Sequence, residues 1–151
     1  MFVKRSYLFD EMQPELRDRV FELGEECCFE EGEYIFRRGE VATSLYILEK
    51  GRLRIAVGES GTVAKTVRSA GDVFGWSSLL GPSSYTASAQ CLTRTTVFRI
   101  KGVKMNQLLE AVPAEGLAFY RRLAAFVRER LTDSYKTLVT YDSEKKPHSY
   151  G

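Results

Sequence analysis

The feature that most narrows the fold is a change of hydrophobic period, from helical to two and back again. In Arg52–Val57, Leu53, Ile55 and Val57 face one way while Arg52 and Arg54 face the other, as in a strand with one buried side. Ala87, Ala89 and Cys91 alternate in the same way with Thr86, Ser88 and Gln90, and Phe98 and Ile100 share a face further on. The stretch Ser44–Val57 predicts a hairpin turning at Lys50-Gly51, and Val57–Val67 predicts another turning near Ser60-Gly61. Short strands at close intervals with glycine turns predict a mainly β fold, a jelly-roll barrel (double-stranded β-helix) over about residues 25–100.

Helices flank this region. Pro14–Leu23 carries Leu16, Val20 and Leu23 at helical spacing, with Pro14 suited to a first turn and Gly24 to a stop. Lys101–Val112 predicts a short helix ending near Pro113, followed by one long helix over about 114–140. Its residues Leu117, Ala124, Val127, Leu131 and Leu138, with Ser134 between, space by three, four and seven, a seam for another helix. The first half of that stripe could equally pack on its own barrel. Past Val127 a small barrel has little left to cover it, so a homodimer is expected there, with Ala124, Val127, Leu131, Ser134 and Leu138 at the interface. Residues 1–141 form one domain in this reading, and 142–151 a polar, disordered tail.

Several function classes are excluded by what the chain lacks. His148, in the tail, is the only histidine, which leaves no material for a Ser-His-Asp triad, a histidine-rich metal site or a histidine-ligated haem. The three cysteines, Cys27, Cys28 and Cys91, are too few for an iron–sulfur cluster and read as reduced thiols. No catalytic residue, metal site or bound cofactor is therefore expected, and the chain reads as a non-enzyme. A net charge of +2 gives no electrostatic case for nucleic acid or membrane. The first residues contain no apolar signal-peptide core, so a cytoplasmic location is expected.

Against a chain that is 28% charged, the run from Val73 to Thr93 contains no charged residue. Glycine, proline and hydroxyl residues interrupt it too often for a membrane span. Something in it must stay small and neutral.

The order helix, eight or so strands, short helix, long helix carries four telling segments: Gly32–Val57, Ala70–Gly75, Ser78–Ala89 and the helix led by Pro113. With Gly39-Glu40, Tyr46, Gly51, Gly71-Asp72 and Phe74-Gly75 in place, the chain resembles the cyclic-nucleotide-binding domains of the catabolite-activator and protein-kinase regulatory type, from about Leu16 to Leu138. The resemblance implies a ligand loop after Phe74-Gly75 whose backbone N–H groups, here those of Ser77, Ser78 and Leu79, cradle a cyclic phosphate. It also implies a Glu on the ribose and an Arg on the phosphate. At those two positions this chain has Trp76 and Tyr85, the latter followed by Thr86 and Ala87. Each lost charge-assisted bond costs about 1.5–3 kcal/mol, or about one to two decades of affinity. Ordinary cyclic AMP should then bind weakly, with the hydroxyls of Ser83, Ser84, Tyr85 and Thr86 recovering part of the loss.

Two readings stand for Trp76, filling the ligand's volume or stacking on a flat ligand. Tyr85 reads as packing on the barrel or as a hydroxyl contact. The family's final helix places polar residues against the base, and Thr132 and Ser134 lie in that region. Arg128 or Arg130 turning inward to replace the missing Arg is a further reading. No helix-turn-helix follows the long helix, so direct DNA binding is not expected. The resulting expectation is a stand-alone sensor that takes a small effector, a cyclic nucleotide held weakly or a non-standard ligand, and signals to an unknown protein partner by a helix shift. The alternatives are a closed, non-binding dimerisation scaffold and a component of a transcription-regulatory system without its own DNA-binding domain.

Overall fold

The computed structural model of the chain describes residues 8–58 and 64–145. Helix α1 (Pro14–Leu23) leads into strands β1 (Gly24–Phe29), β2 (Tyr34–Phe36), β3 (Ser44–Lys50), β4 (Leu53–Ala56), β5 (Ala64–Val67), β6 (Val73–Phe74), β7 (Ser88–Cys91) and β8 (Thr95–Lys101). Helices α2 (Gly102–Ala111) and α3 (Pro113–Lys145) close the order. One sheet runs β1-β8-β3-β6 and the other β2-β7-β4-β5. First pairs with last throughout, β1 with β8, β2 with β7, β3 with β6 and β4 with β5, all antiparallel. That nesting is a long folded ribbon rolled over on itself, the jelly roll read from the sequence.

The roll also corrects one expectation. Gly51 does turn the chain, at φ 101°, but β3 and β4 lie in different sheets. A Cβ on Gly51 would press on the Arg94 carbonyl and Thr95, so the turn is an arch across the roll and not a hairpin. The turn expected near Ser60-Gly61 lies outside the described residues; β4 and β5 on either side of it do pair, Leu53 with Val67 through Ala56 with Ala64.

Period two explains where the core sits. On β3 every residue from Ser44 to Leu48 is buried, because both faces of that sheet are covered. Leu45 and Ile47 face the helices, packing with Leu16, Val20, Met105, Leu109, Phe119 and Leu123. Tyr46 and Leu48 face the inside of the roll, with Phe36, Leu53, Phe74, Tyr85 and Val97. Burying one such aliphatic side chain, Leu16 or Val20 of α1 for example, contributes about 1.5–3 kcal/mol. The neighbouring thiols Cys27 and Cys28 alternate across β1, one half-buried and one exposed, and all three cysteines are free.

Helix α3 is longer than the sequence reading placed it, continuing to Lys145 and taking in the start of the expected tail. No glycine or proline interrupts the chain between Gly116 and Pro147, so nothing local stops the helix. The expected seam also divides. Val127 packs against its own body, while Leu117, Leu131 and Leu138 are about half exposed and Ala124 and Ser134 are exposed as well. Among the described residues no helix is long and apolar enough to cross a membrane.

Candidate functional site

The uncharged run builds its loop from its own backbone. Strand β6 ends at Phe74, Gly75 enters the left-handed region (φ 77°, ψ 26°), and Trp76–Leu79 forms one short 3-10 helix. Little space remains at Gly75, where a Cβ would lie 3.1 Å from the Ser44 carbonyl and 3.2 Å from the Tyr46 ring. The serines bind inward. Ser78 Oγ donates to the Gly75 carbonyl (3.0 Å) and Ser83 Oγ donates to the Ser77 carbonyl (2.8 Å). From α2, Asn106 Nδ2 donates to the Leu79 carbonyl (2.9 Å), and Gly102 packs so closely that a Cβ would overlap the Ser78 carbonyl. At Ser78 and Leu79, both buried, a charged side chain would find neither room nor solvent.

Tyr85 is committed to structure. Its ring stacks on Phe36 (centroids 3.8 Å apart, 14° between planes). Its hydroxyl donates to the Ser44 carbonyl (2.7 Å) and accepts from the Ser44 N–H (3.1 Å). Burial pushes its phenol pKa up, partly opposed by the bond to Ser44.

Between loop, roll and α3 lies a cavity of about 60 Å³, lined by Phe36, Ile55, Phe74, Gly75, Trp76, Ser77, Tyr85, Thr86, Ala87 and Arg130. Of the residues read from the sequence as a ligand site, Phe74, Gly75, Trp76, Ser77, Tyr85 and Thr86 meet here. Ser78 and Leu79 turn into the interior, Ser83 braces the loop, and Ser84 pairs with Val41 beside it. Thr132 and Ser134 do not reach the cavity: both are exposed, and their hydroxyls donate to the Arg128 (2.9 Å) and Arg130 (3.1 Å) carbonyls of their own helix. The α3 residue that reaches in is Arg130. Arg130 is one of the two α3 arginines read as able to turn inward; Phe36 and Ile55 were missed as site residues, although Ile55 occupies an inward position of a period-two strand.

Arg130 is the cation among the described lining residues, and no carboxylate stands with it there. Its guanidinium lies 4.9 Å from the Phe126 ring centroid and 5.6 Å from that of Trp76, two cation–π contacts that hold it in place. Desolvation lowers its pKa, while Asp72 and Asp133 draw it back up; a guanidinium stays charged through such a shift. Trp76 in turn meets Phe126 edge to face, centroids 5.4 Å apart at 87°. At the rim, Lys65 of β5 pairs with Asp133 of α3 (3.7 Å). Ligand pockets usually occupy about 300–1,000 Å³, so this conformation is a closed one, its volume taken by Trp76 and the α3 side chains. Among the described residues no group of three His, Cys, Asp or Glu is placed to hold a metal ion.

Comparison with known proteins agrees with this geometry. The family model for the cyclic nucleotide-binding domain matches residues 26–112. A putative cyclic nucleotide-binding protein of Geobacter metallireducens superposes with a TM-score of 0.71 at 28% identity, covering 82% of this chain and 91% of its own. The catabolite activator protein of Thermus thermophilus superposes with a TM-score of 0.70 at 24% identity, over 91% of this chain and 63% of its own. An uncharacterised NTE family protein of Mycobacterium tuberculosis is 31% identical over 97 residues, which is 64% of this chain and 16% of that protein. The chain therefore spans about a sixth of the length of that curated relative.

Proposed function

We propose that this chain, which belongs to the cyclic nucleotide-binding domain family, is a non-catalytic sensor in which the ligand's negative charge is met by the final helix and not by the ligand loop. The observation that carries this reading is Arg130 lining the cavity beside Trp76, Ser77 and Thr86, while the loop itself contributes no charge. The ligand is a small anion of the cyclic-nucleotide type, or a flatter and less anionic effector stacked on Trp76. It does not fit about 60 Å³, so binding requires α3 to swing outward with Phe126 and Arg130. The Lys65–Asp133 pair at the rim is solvent-exposed and costs little to break.

A moving helix needs something to act on. Leu117, Ala124, Leu131 and Leu138 recur every seven residues and are exposed in the single chain, the period at which two like helices supercoil. A second copy is the partner that such a row fits, and a shift of α3 would then alter the pairing. A second reading, a closed scaffold, rests on the Trp76–Phe126 contact, which leaves a closed and nearly filled site.

Trp76 is the only tryptophan, so its emission reports the cavity directly. Wild type, Arg130→Gln and Trp76→Ala are titrated with cyclic AMP, cyclic GMP and cyclic dinucleotides by thermal shift, with Trp76 emission followed in the first two. A native-state ligand at a hundred times its Kd adds about 2.7 kcal/mol of stability. The sensor reading expects such a rise in wild type and its loss in Arg130→Gln. Silence in wild type and in Trp76→Ala, whose cavity is enlarged, would leave the scaffold.

A further inference from the structure

The sheet β2-β7-β4-β5 has a second face, and it carries a different chemistry. Ile55 and Phe36 point into the roll, whereas Tyr34, Gln90 and Arg54 form one row on the outside, by the registers Tyr34↔Gln90 and Arg54↔Gln90. Ser88 follows in the next row, opposite Ala56. Beyond the end of β2 come Arg37 and Arg38. Together these side chains line a depression of about 370 Å³.

Three guanidinium groups thus share one concavity, and none of the described residues lining it is Asp or Glu. Elsewhere Arg94, Arg99 and Arg122 each meet a carboxylate. Among the described residues the guanidinium groups of the three here are positioned without one, the Glu40 carboxylate accepting from the Arg37 backbone N–H instead (2.6 Å). Arg37 stacks over the Tyr34 ring at 3.8 Å. Arg38 donates from Nη1 to the Val57 carbonyl (3.1 Å), and its backbone N–H donates to Ser88 Oγ (2.8 Å). Arg54 Nε is buried and meets no acceptor among the described residues, an orphaned donor of the kind that calls for an explanation.

We propose that this depression is a second ligand site, separate from the cavity under α3, that takes the di- or triphosphate group of a small molecule. Guanidinium forks match phosphate oxygens two at a time. A diphosphate carries roughly three negative charges near neutral pH, each phosphoryl group contributing about −1.5 to −2, which balances three arginines where a single carboxylate would not. Ser88, its oxygen already accepting from Arg38, keeps its hydroxyl proton to donate. A turn of the Arg54 side chain towards a bound phosphate oxygen gives its Nε the acceptor it lacks.

Calorimetric titration at low ionic strength tests this with sodium pyrophosphate in one arm and ATP in the other. One-to-one binding of pyrophosphate is expected, weakened tenfold or more by Arg54→Gln and by Arg38→Gln, and unchanged by Arg130→Gln, which alters only the other cavity. Arg38 is exposed, so its variant folds even if Arg54→Gln does not. Amide shifts should map to residues 34–38 and 88–90. Equal affinity for the two probes makes the phosphate chain the whole determinant, and tighter ATP binding identifies a nucleotide as the source. The proposal is overturned by no heat and no amide shift at millimolar pyrophosphate, by affinity that both Arg54→Gln and Arg38→Gln leave intact, or by shifts confined to the loop around Trp76.

Discussion

Removing one oxygen atom, in Tyr85→Phe, tests how the segment after the Trp76–Leu79 loop is anchored to the roll. Gly102 N–H donates to the Thr43 carbonyl (3.0 Å) on the β8 side of β3. Ser44, one residue on, therefore aims its N–H and C=O the other way, towards β6. Further along that side, Leu48 bonds to Asp72 and Gly71. By Ser44 the two-residue strand β6 has already turned away at Gly75, and the Tyr85 hydroxyl takes both groups instead. Phenylalanine keeps the stack on Phe36 but orphans a buried donor and a buried acceptor, at about 1–3 kcal/mol each when a partner is removed. We expect Tyr85→Phe to lose about 2–6 kcal/mol in urea unfolding, which at about 3 °C per kcal/mol lowers Tm by roughly 6–18 °C. Tyr85→Leu should lose more, since the ring stack goes too. A loss below about 0.5 kcal/mol in Tyr85→Phe would refute the reasoning, because Ser44 would then have other partners.

The remaining expectations concern pH, packing and assembly. Burial, with Tyr85 nearby, pushes the Tyr46 phenol from 10.0 up to about 12, and burial raises Tyr85 too. The folded state thus favours the protonated phenols, so this contribution to stability is whole below pH 10 and is lost as pH rises from 10 through about 12; urea midpoints across that window should fall less steeply in Tyr46→Phe than in wild type. Gly102→Ala drives a Cβ into the Ser78 carbonyl, and an overpacking cost of about 1–3 kcal/mol should come with a shift in Trp76 emission; unchanged emission and stability would mean that α2 does not brace the loop. Leu131→Glu combined with Leu138→Glu should convert a dimer to a monomer in light scattering with Tm of the single domain kept, whereas an unaltered mass would remove α3 from the interface.

The roll was legible because alternation and glycine spacing are local signals, and strands such as β7 carry them. What alternation cannot encode is whether consecutive strands pair or cross to another sheet, so Ser44–Val57 read as a hairpin where the arch at Gly51 puts Ser44–Lys50 and Leu53–Ala56 in different sheets. The loop after Phe74 stood out for the converse reason: neutrality around Gly75–Leu79 accompanies packing so close that a Cβ on Gly102 would meet backbone and serines serve carbonyls. Which hydroxyls face the cavity was not legible, since Ser78 and Ser83 look the same in sequence as Ser77. On α3 the two polar positions expected at the site failed differently. Each residue turns a helix by about 100°, so Thr132 lies about 200° from Arg130, on the far side, while Ser134 shares the face of Arg130 but lies one turn further along; Arg130 itself stood only as the further reading.

Placing the cation on α3 changes what occupancy does. A charge fixed on the roll binds a ligand equally well wherever the helix sits, and a ligand with equal affinity for two states shifts neither. With Arg130 as the anchor, ligand contact and helix position are one coordinate, because α3 must carry the guanidinium, with Phe126, away from Trp76 to make room for the anion. A charge-assisted bond of about 1.5–3 kcal/mol then biases the helix by about ten- to a hundredfold. Arg130→Gln is accordingly expected to weaken binding by that factor and to abolish any ligand-driven change in dimer pairing at saturating ligand. Weakened binding with the pairing response intact would show that the helix is moved through Trp76 or the loop, and that the charge only holds the ligand.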